Sequence, residues 1–171
     1  MHSSAKFLPR IWHRSSSTGN MRYIQCPNRV EQLAIGDSVV FMAGGITGCP
    51  DWQTVVVEKC KNVSDGIILV NPRREDFDCS DKSDEFQIKW EYDHLAMADW
   101  IYFWFPKEGR CMITLYELGC ALGEGRNIRV GVEPGYVREL DVREQLKHRA
   151  SWCKIYTSLE DLYAPVLLAT K

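Results

Sequence analysis

From Ser38 onward the chain alternates short apolar runs with longer stretches whose apolar residues recur at helical spacing. "SVVFMAGG" is an apolar run ending in glycine, which predicts a buried strand followed by a tight turn. "DWQTVVVEKCKNV" has helical spacing, and Pro50 and Asp51 are good starters for it. "GIILVNP" predicts a second strand, stopped by Asn71 and Pro72. Residues 73–82 are polar and acidic and read as a loop, and "SDEFQIKWEYDHLAMAD" follows as a helix with Ser83 as its N-cap. "WIYFWF" is a third strand, apolar on both faces. A loop over residues 106–111 leads to the helix "ITLYELGCALGEG", closed by Gly123 and Gly125. "IRVGVE" is a fourth strand, "VRELDVREQLKHRA" an amphipathic helix, "CKIYT" a short fifth strand, and "SLEDLYAPVLLAT" a last helix capped by Ser158.

Strands apolar on both faces, alternating with helices, indicate a parallel sheet covered on both sides. The right-handed crossover rule then selects a doubly wound α/β fold, a flavodoxin- or Rossmann-like three-layer sandwich with a parallel sheet of about five strands. Residues 21–171 are expected to form it as a single domain. Ligands of such sheets bind beyond the carboxyl ends of the strands, near the point where the strand order reverses. The residues to weigh are therefore 44–48, 71–76 and 106–111, with the helix starts they feed.

Composition narrows the partners. The 171 residues suffice for one core, and 45% hydrophobic with 26% charged residues is ordinary for a soluble globular protein. A net charge of -2 gives no electrostatic reason to expect nucleic acid or a membrane surface. No apolar run approaches the ~20 residues that span a bilayer. The seven cysteines (Cys26, Cys49, Cys60, Cys79, Cys111, Cys120 and Cys153) are scattered without a Cys-x-x-Cys pair, and the four histidines stand apart from them. Free thiols in a reducing compartment are expected, with no metal and no cofactor. The first twenty residues contain Lys6, Arg10, Arg14 and five serines but no acid. That composition is similar to an organelle-targeting leader; a disordered tail, or a start at Met21, accounts for it as well. The expected location is cytoplasmic, with organelle targeting by residues 1–20 as the alternative.

Candidate chemistry sits at the strand ends. Gly44, Gly45 and Gly48 in "AGGITGCPDW" let a ligand approach the backbone, or simply make a tight turn. Their spacing is not G-x-G-x-x-G, so a standard dinucleotide site is not expected. Arg73 and Arg74 in "NPRRED" suit a phosphate or carboxylate, or surface ion pairs. Glu117 in "TLYELG" lies near a helix start, where the dipole favours an ionised carboxylate, and Thr114 is placed to orient that start. Glu91 and Asp93 lie on the helix before "WIYFWF", where a carboxylate in a drier site can hold a proton near neutral pH. One ionised and one proton-donating carboxylate are the equipment for breaking a glycosidic bond. Solvated helix faces account for the same acids.

The segments "VFMAGGITG", "DWQ", "NPRRED", "WEYDHLAMADWIYFWFP" and "TLYELGCALGEG" resemble the nucleoside 2-deoxyribosyltransferase family, in its small single-domain branch, over about residues 39–132. Residues 90–119 carry the resemblance most specifically. It implies an enzyme that cleaves the N-glycosidic bond of (deoxy)nucleosides through a covalent glycosyl–Glu117 intermediate and passes the sugar to another nucleobase. Its partners would be a small-molecule nucleoside or nucleotide and a free nucleobase. Asp99 also matches, and Glu91 falls where the family carries a catalytic aspartate that handles the proton of the base, with Asp93 a rival for that role. Two positions depart from the family: Phe41 replaces a tyrosine that steadies the nucleophile, and Cys111 falls near a loop acid, for which Glu108 is the closest substitute. The expected substrate contacts are Gly44, Gly45, Trp52, Arg73, Arg74 and Glu108, with Trp104 a further candidate for stacking on the base. Related members hydrolyse nucleoside monophosphates, and the two arginines would suit a 5′-phosphate. A (deoxy)nucleoside 5′-monophosphate N-glycosidase is therefore the alternative enzyme, and a non-catalytic nucleotide-binding sensor the alternative outside enzymes. A homo-oligomer, dimer or higher, is the expected assembly.

Overall fold

Six short strands carry the molecule. They are β1 (Arg22–Gln25), β2 (Ser38–Gly44), β3 (Ile67–Asn71), β4 (Trp100–Phe105), β5 (Ile128–Val132) and β6 (Ile155–Tyr156). The helices are α1 (Trp52–Cys60), α2 (Asp81–Met97), α3 (Met112–Gly123), α4 (Glu139–Arg149) and α5 (Leu159–Leu167). This computed structural model describes residues 21–61, 66–74 and 81–168. The leader reading of residues 1–20 and most of the expected polar loop lie outside the described residues.

The strands form one parallel sheet in the order β1-β3-β2-β4-β5-β6, with helices on both faces, the expected doubly wound three-layer architecture. The sheet has six strands rather than about five. The addition is β1, which pairs along the outer edge of β3 from Arg22↔Ile68 to Gln25↔Asn71. Its four residues, "RYIQ", are half-buried or exposed and too few to show a period. A second difference is that α2 starts at Asp81, so Ser83 lies inside the helix and not at its cap.

Strand residues alternate between two cores, as the period of two requires. Phe41, Val70, Phe103 and Val130 face the layer built by Trp90 of α2, Leu118 of α3 and Leu146 of α4. Met42, Leu69, Tyr102 and Trp104 face the opposite layer, built by Trp52 and Val56 of α1 and Leu162 and Tyr163 of α5. The chain leaves β2 toward β3 on one side and β4 toward β5 on the other, so the crevice of this sheet opens between the carboxyl ends of β2 and β4.

That crevice is tightly built. Gly44 pairs with Trp104 across the ladder. A β-carbon at Gly44 would stand 2.5 Å from the Trp104 carbonyl oxygen and 2.6 Å from the Trp52 ring. One at Gly45 would stand 2.8 Å from the Pro106 ring. The glycines are thus accounted for by protein packed against them. Gly44→Ala is expected to lower stability by about 1–3 kcal/mol, because a backbone carbonyl blocks the new methyl group. Urea unfolding checks this; an unchanged midpoint would show that β2 and β4 can separate at no cost.

Candidate active site

Glu91 is positioned by its neighbours on α2. Trp90 is buried, and its indole donates to the Asn28 carbonyl at 2.8 Å. The Trp90 ring stacks on His94 at 3.9 Å between centroids. Val30 N–H, which can only donate, points at His94 Nε2 at 3.4 Å, and the Trp90 carbonyl, which can only accept, lies 2.7 Å from Nδ1. Those partners assign the neutral imidazole with the proton on Nδ1. Burial likewise lowers the pKa of His94. With Trp90 fixed, Glu91 and Asp93 flank it on opposite sides of α2, ~160° apart around the axis.

Glu91 turns toward Gln87. The Gln87 amide nitrogen donates to Glu91 Oε1 and to the Pro72 carbonyl, each at 2.7 Å, and its oxygen accepts from the Cys26 thiol at 3.3 Å. Gln87 thus ties Glu91 to the end of β3. Sequence reasoning missed this residue. Its one signal is the spacing of four before Glu91, a same-face helical interval.

Glu117 sits in the second turn of α3, beyond the first turn in which the dipole acts most strongly. The N-cap of α3 is Cys111, which makes no side-chain capping bond, and Thr114 is buried. The expectation of an ionised carboxylate at a helix start is therefore corrected. Burial, and then the charge of Glu91, push Glu117 up to about 8. Burial also raises Glu91, opposed by the Gln87 hydrogen bond. The charge of Glu91 thus acts on Glu117, and both carboxyl groups are partly withdrawn from water.

The other predicted residues fall elsewhere. Asp93 is paired with Lys89 and, at 3.2 Å, with Arg29, and these bonds hold its carboxyl below the usual range. It is a solvated ion pair, away from the acid pair. Asp99 lies at the opposite end of the sheet, where its carboxylate accepts from Val39 N–H at 3.0 Å. Trp52 and Trp104 are core side chains of the layer opposite α3, and Trp52 donates to the Gly45 carbonyl at 2.9 Å. Arg73 is occupied by Gln53 at 3.1 Å, the Pro50 carbonyl at 3.1 Å and Asp51 at 3.3 Å, and so fastens the glycine turn to β3. Arg74, one residue on, lies on the other side, where burial raises the Cys26 thiol to about 11 and the charge of Arg74 partly offsets that rise. Glu108 is exposed beside Lys107. It lines a cavity of about 330 Å³ with Asp51, Trp52, Trp104 and Glu133, on the α1 and α5 side. A wider groove of about 590 Å³ lies between the starts of α3 and α4, lined by Arg110, Leu115 and Arg138, and includes neither acid of the pair. Phe41 lies in the correct layer, 6.3 Å from the Trp90 ring, without a hydroxyl.

Among the described residues no helix is long and apolar enough to cross a membrane, and no three His, Cys, Asp or Glu side chains converge as metal ligands.

A half-buried pair of carboxyls, on α2 and α3 of a doubly wound sheet, defines a class of small α/β proteins equipped for acid–base and nucleophilic work. The family model described as "Nucleoside 2-deoxyribosyltransferase like" matches residues 37–136, more than half of the chain, and the protein belongs to that family. No curated protein matches the chain.

The acid pair has a stability signature. A carboxyl raised from 4.5 to about 8 binds its proton more tightly in the folded state, so the wild type loses stability as pH climbs through that window. Glu117→Gln removes the titration. At pH 8 it is expected to be more stable than the wild type by roughly 2–4 kcal/mol, with the gap shrinking toward pH 4.5. Denaturant melts at three pH values measure it, and a gap constant with pH would mean that Glu117 is ordinarily solvated.

Proposed function

We propose that the protein cleaves the N-glycosidic bond of a (deoxy)nucleoside through a glycosyl–Glu117 ester and transfers the sugar to a second nucleobase. The observation that carries this reading is the interacting pair Glu117 and Glu91 at the crevice. Retaining glycosidases hold their nucleophile and acid/base about 5–5.5 Å apart, a separation at which each group feels the other's charge. In the first step a Glu117 oxygen bonds to C1′ as the C1′–N bond breaks, and Glu91 gives its proton to the departing base. In the second step a ring nitrogen of the incoming base bonds to C1′, the ester bond breaks, and Glu91 takes that nitrogen's proton. Atoms and charge are restored after each cycle.

The chemistry needs one proton on the pair. Before substrate binds, that proton favours Glu117, since Glu91 accepts a hydrogen bond from Gln87. Positive charge developing at C1′ favours the ionised form of Glu117 and sends the proton to Glu91, where the leaving base needs it. Turnover is then expected to fall as pH rises through about 8, where the pair loses its proton. It also falls in acid, where both groups are protonated.

A 5′-monophosphate substrate, with water in place of the second base, is the second reading. It is favoured by the charge of Arg74 at the end of β3, on the side of Cys26.

Two measurements test these readings. Incubation with a 2-fluoro sugar nucleoside is expected to add one sugar to the protein, mapped to Glu117, and Glu117→Gln to abolish both adduct and base exchange. Near-normal turnover in Glu117→Gln would sink the covalent route. Arg74→Ala is expected to weaken monophosphates over nucleosides by roughly ten- to a hundred-fold, a charge-assisted bond being worth about 1.5–3 kcal/mol. Equal losses on both substrate types would assign Arg74 a structural role.

A further inference from the structure

Two thiols meet at the crevice. Cys49 stands at the end of the glycine turn after β2, and Cys111 is the residue from which α3 starts. A β-carbon built on Gly45 would lie 2.7 Å from the Cys49 sulfur and 2.9 Å from the Cys111 sulfur. One built on Gly109 would lie 2.6 Å and 2.9 Å from the same two atoms. Both sulfurs therefore flank the same two points, although their residues belong to different loops. Each residue is half-buried. Cys111 has φ 49° and ψ 41°, the one non-glycine residue with positive φ among those described. A side chain is carried in that conformation at a cost of about 1 kcal/mol or more, and here it aims the sulfur at the glycine turn. The remaining described cysteines lack such a neighbour: Cys26 and Cys60 lie in opposite core layers, Cys153 packs beside β6, and Cys120 is exposed on α3.

We propose that Cys49 and Cys111 are a disulfide-forming pair, oxidised by low-molecular-weight disulfides, whose bond ties the glycine turn to the base of the Glu117 helix. The proposal stands apart from the glycosyl chemistry. With oxidised glutathione, one cysteine loses its proton and attacks a glutathione sulfur, and the released glutathione thiolate takes up a proton. The second cysteine, deprotonated in turn, attacks the mixed disulfide and releases a second glutathione thiol. Two protein thiols are oxidised and one glutathione disulfide is reduced. Burial raises both thiols, Cys111 to about 12, so the exchange is slow at neutral pH and speeds up as pH rises. The bond would close a loop of roughly sixty residues and restrict the unfolded chain accordingly.

The test leaves both cysteines in place. The full chain carrying Cys79→Ser and Cys120→Ser is equilibrated in glutathione buffers at pH 8, quenched with acid and digested without reduction. The expected product is a peptide pair bridging Cys49 and Cys111, two hydrogens lighter than its parts. The oxidised form should also melt several degrees higher than the reduced form. In the same buffers Cys49→Ser should leave Cys111 reduced or singly glutathionylated, with no rise in melting temperature. Separate glutathione adducts on the two cysteines, a bridge to any other cysteine, or no reaction in buffers that oxidise the denatured chain would each overturn the proposal.

Discussion

Two carboxyl groups partly withdrawn from water, one of them raised by the charge of the other, set the central constraint on this molecule. Burial, and then the charge of Glu91, hold the proton of Glu117 well above the pH at which free carboxyls lose theirs. A folded protein gains nothing in stability from such an arrangement, and sites of this kind are kept against the drive toward a better-packed or better-solvated alternative. The surrounding chain has to hold both acids in place while leaving them unneutralised.

The restraint comes from neutral hydrogen bonds and from aromatic packing. The connection from β1 to β2 crosses α2, accepting from Trp90 through Asn28 and donating to His94 through Val30. With Trp90 stacked on His94 and buried against Phe41, α2 cannot rotate, and Glu91 keeps its place at the sheet end. The Gln87 amide spends both N–H groups on Pro72 and Glu91. Rotating it by half a turn would set its oxygen against two other oxygens, so the bond to Glu91 is made in one orientation only. On the far side of the sheet, Arg73 fastens the glycine turn to β3 through Gln53 and the Pro50 carbonyl. The edge strand β1, short as it is, begins the connection on which α2 rests.

Most of this frame is legible in the chain because its signals are long and unmixed. "WIYFWF" has no polar residue and can only be a strand buried on both faces; "GIILVN" differs only in its terminal asparagine. Ser158 starts α5 and Gly125 follows the end of α3 by local chemistry, a side-chain cap and a left-handed glycine, which need no tertiary context. The details of the site were less legible. Glu91 and Asp93 are two residues apart in an acidic stretch, and only the burial of Trp90 decides which one reaches the sheet end. Arg73 and Arg74 are identical in type and opposite in surroundings, because an extended segment alternates its sides. Trp52 and Trp104 look like stacking platforms until the parity of β4 assigns Trp104 to the layer of α1 and α5. The four residues of β1 carry too little pattern for any reading, and their pairing partner lies more than forty residues away.

The same parity separates two tasks that the carboxyl edge of one sheet performs. The α1 and α5 layer is closed by Trp52, Trp104 and Tyr163, and space for the Trp104 ring exists because Gly131 has no β-carbon, which would stand 2.6 Å from it. That layer fixes the glycine turn from below. The α2 and α3 layer meets the same turn from the other side, through Pro106 and Cys111. A shift of the turn in either direction is therefore opposed by packed atoms. Glu117 is carried on α3, whose first residue follows Cys111, so the position of the turn and the position of the acid are set by one contact region. Precision at Glu117 thus follows from close packing at Gly44, Gly45 and Gly109. It requires no hydrogen bond to Glu117 itself, and a strong donor there would lower a carboxyl that burial holds at about 8. Phe41, packed against Trp90 in the same layer, fills its place without a hydroxyl.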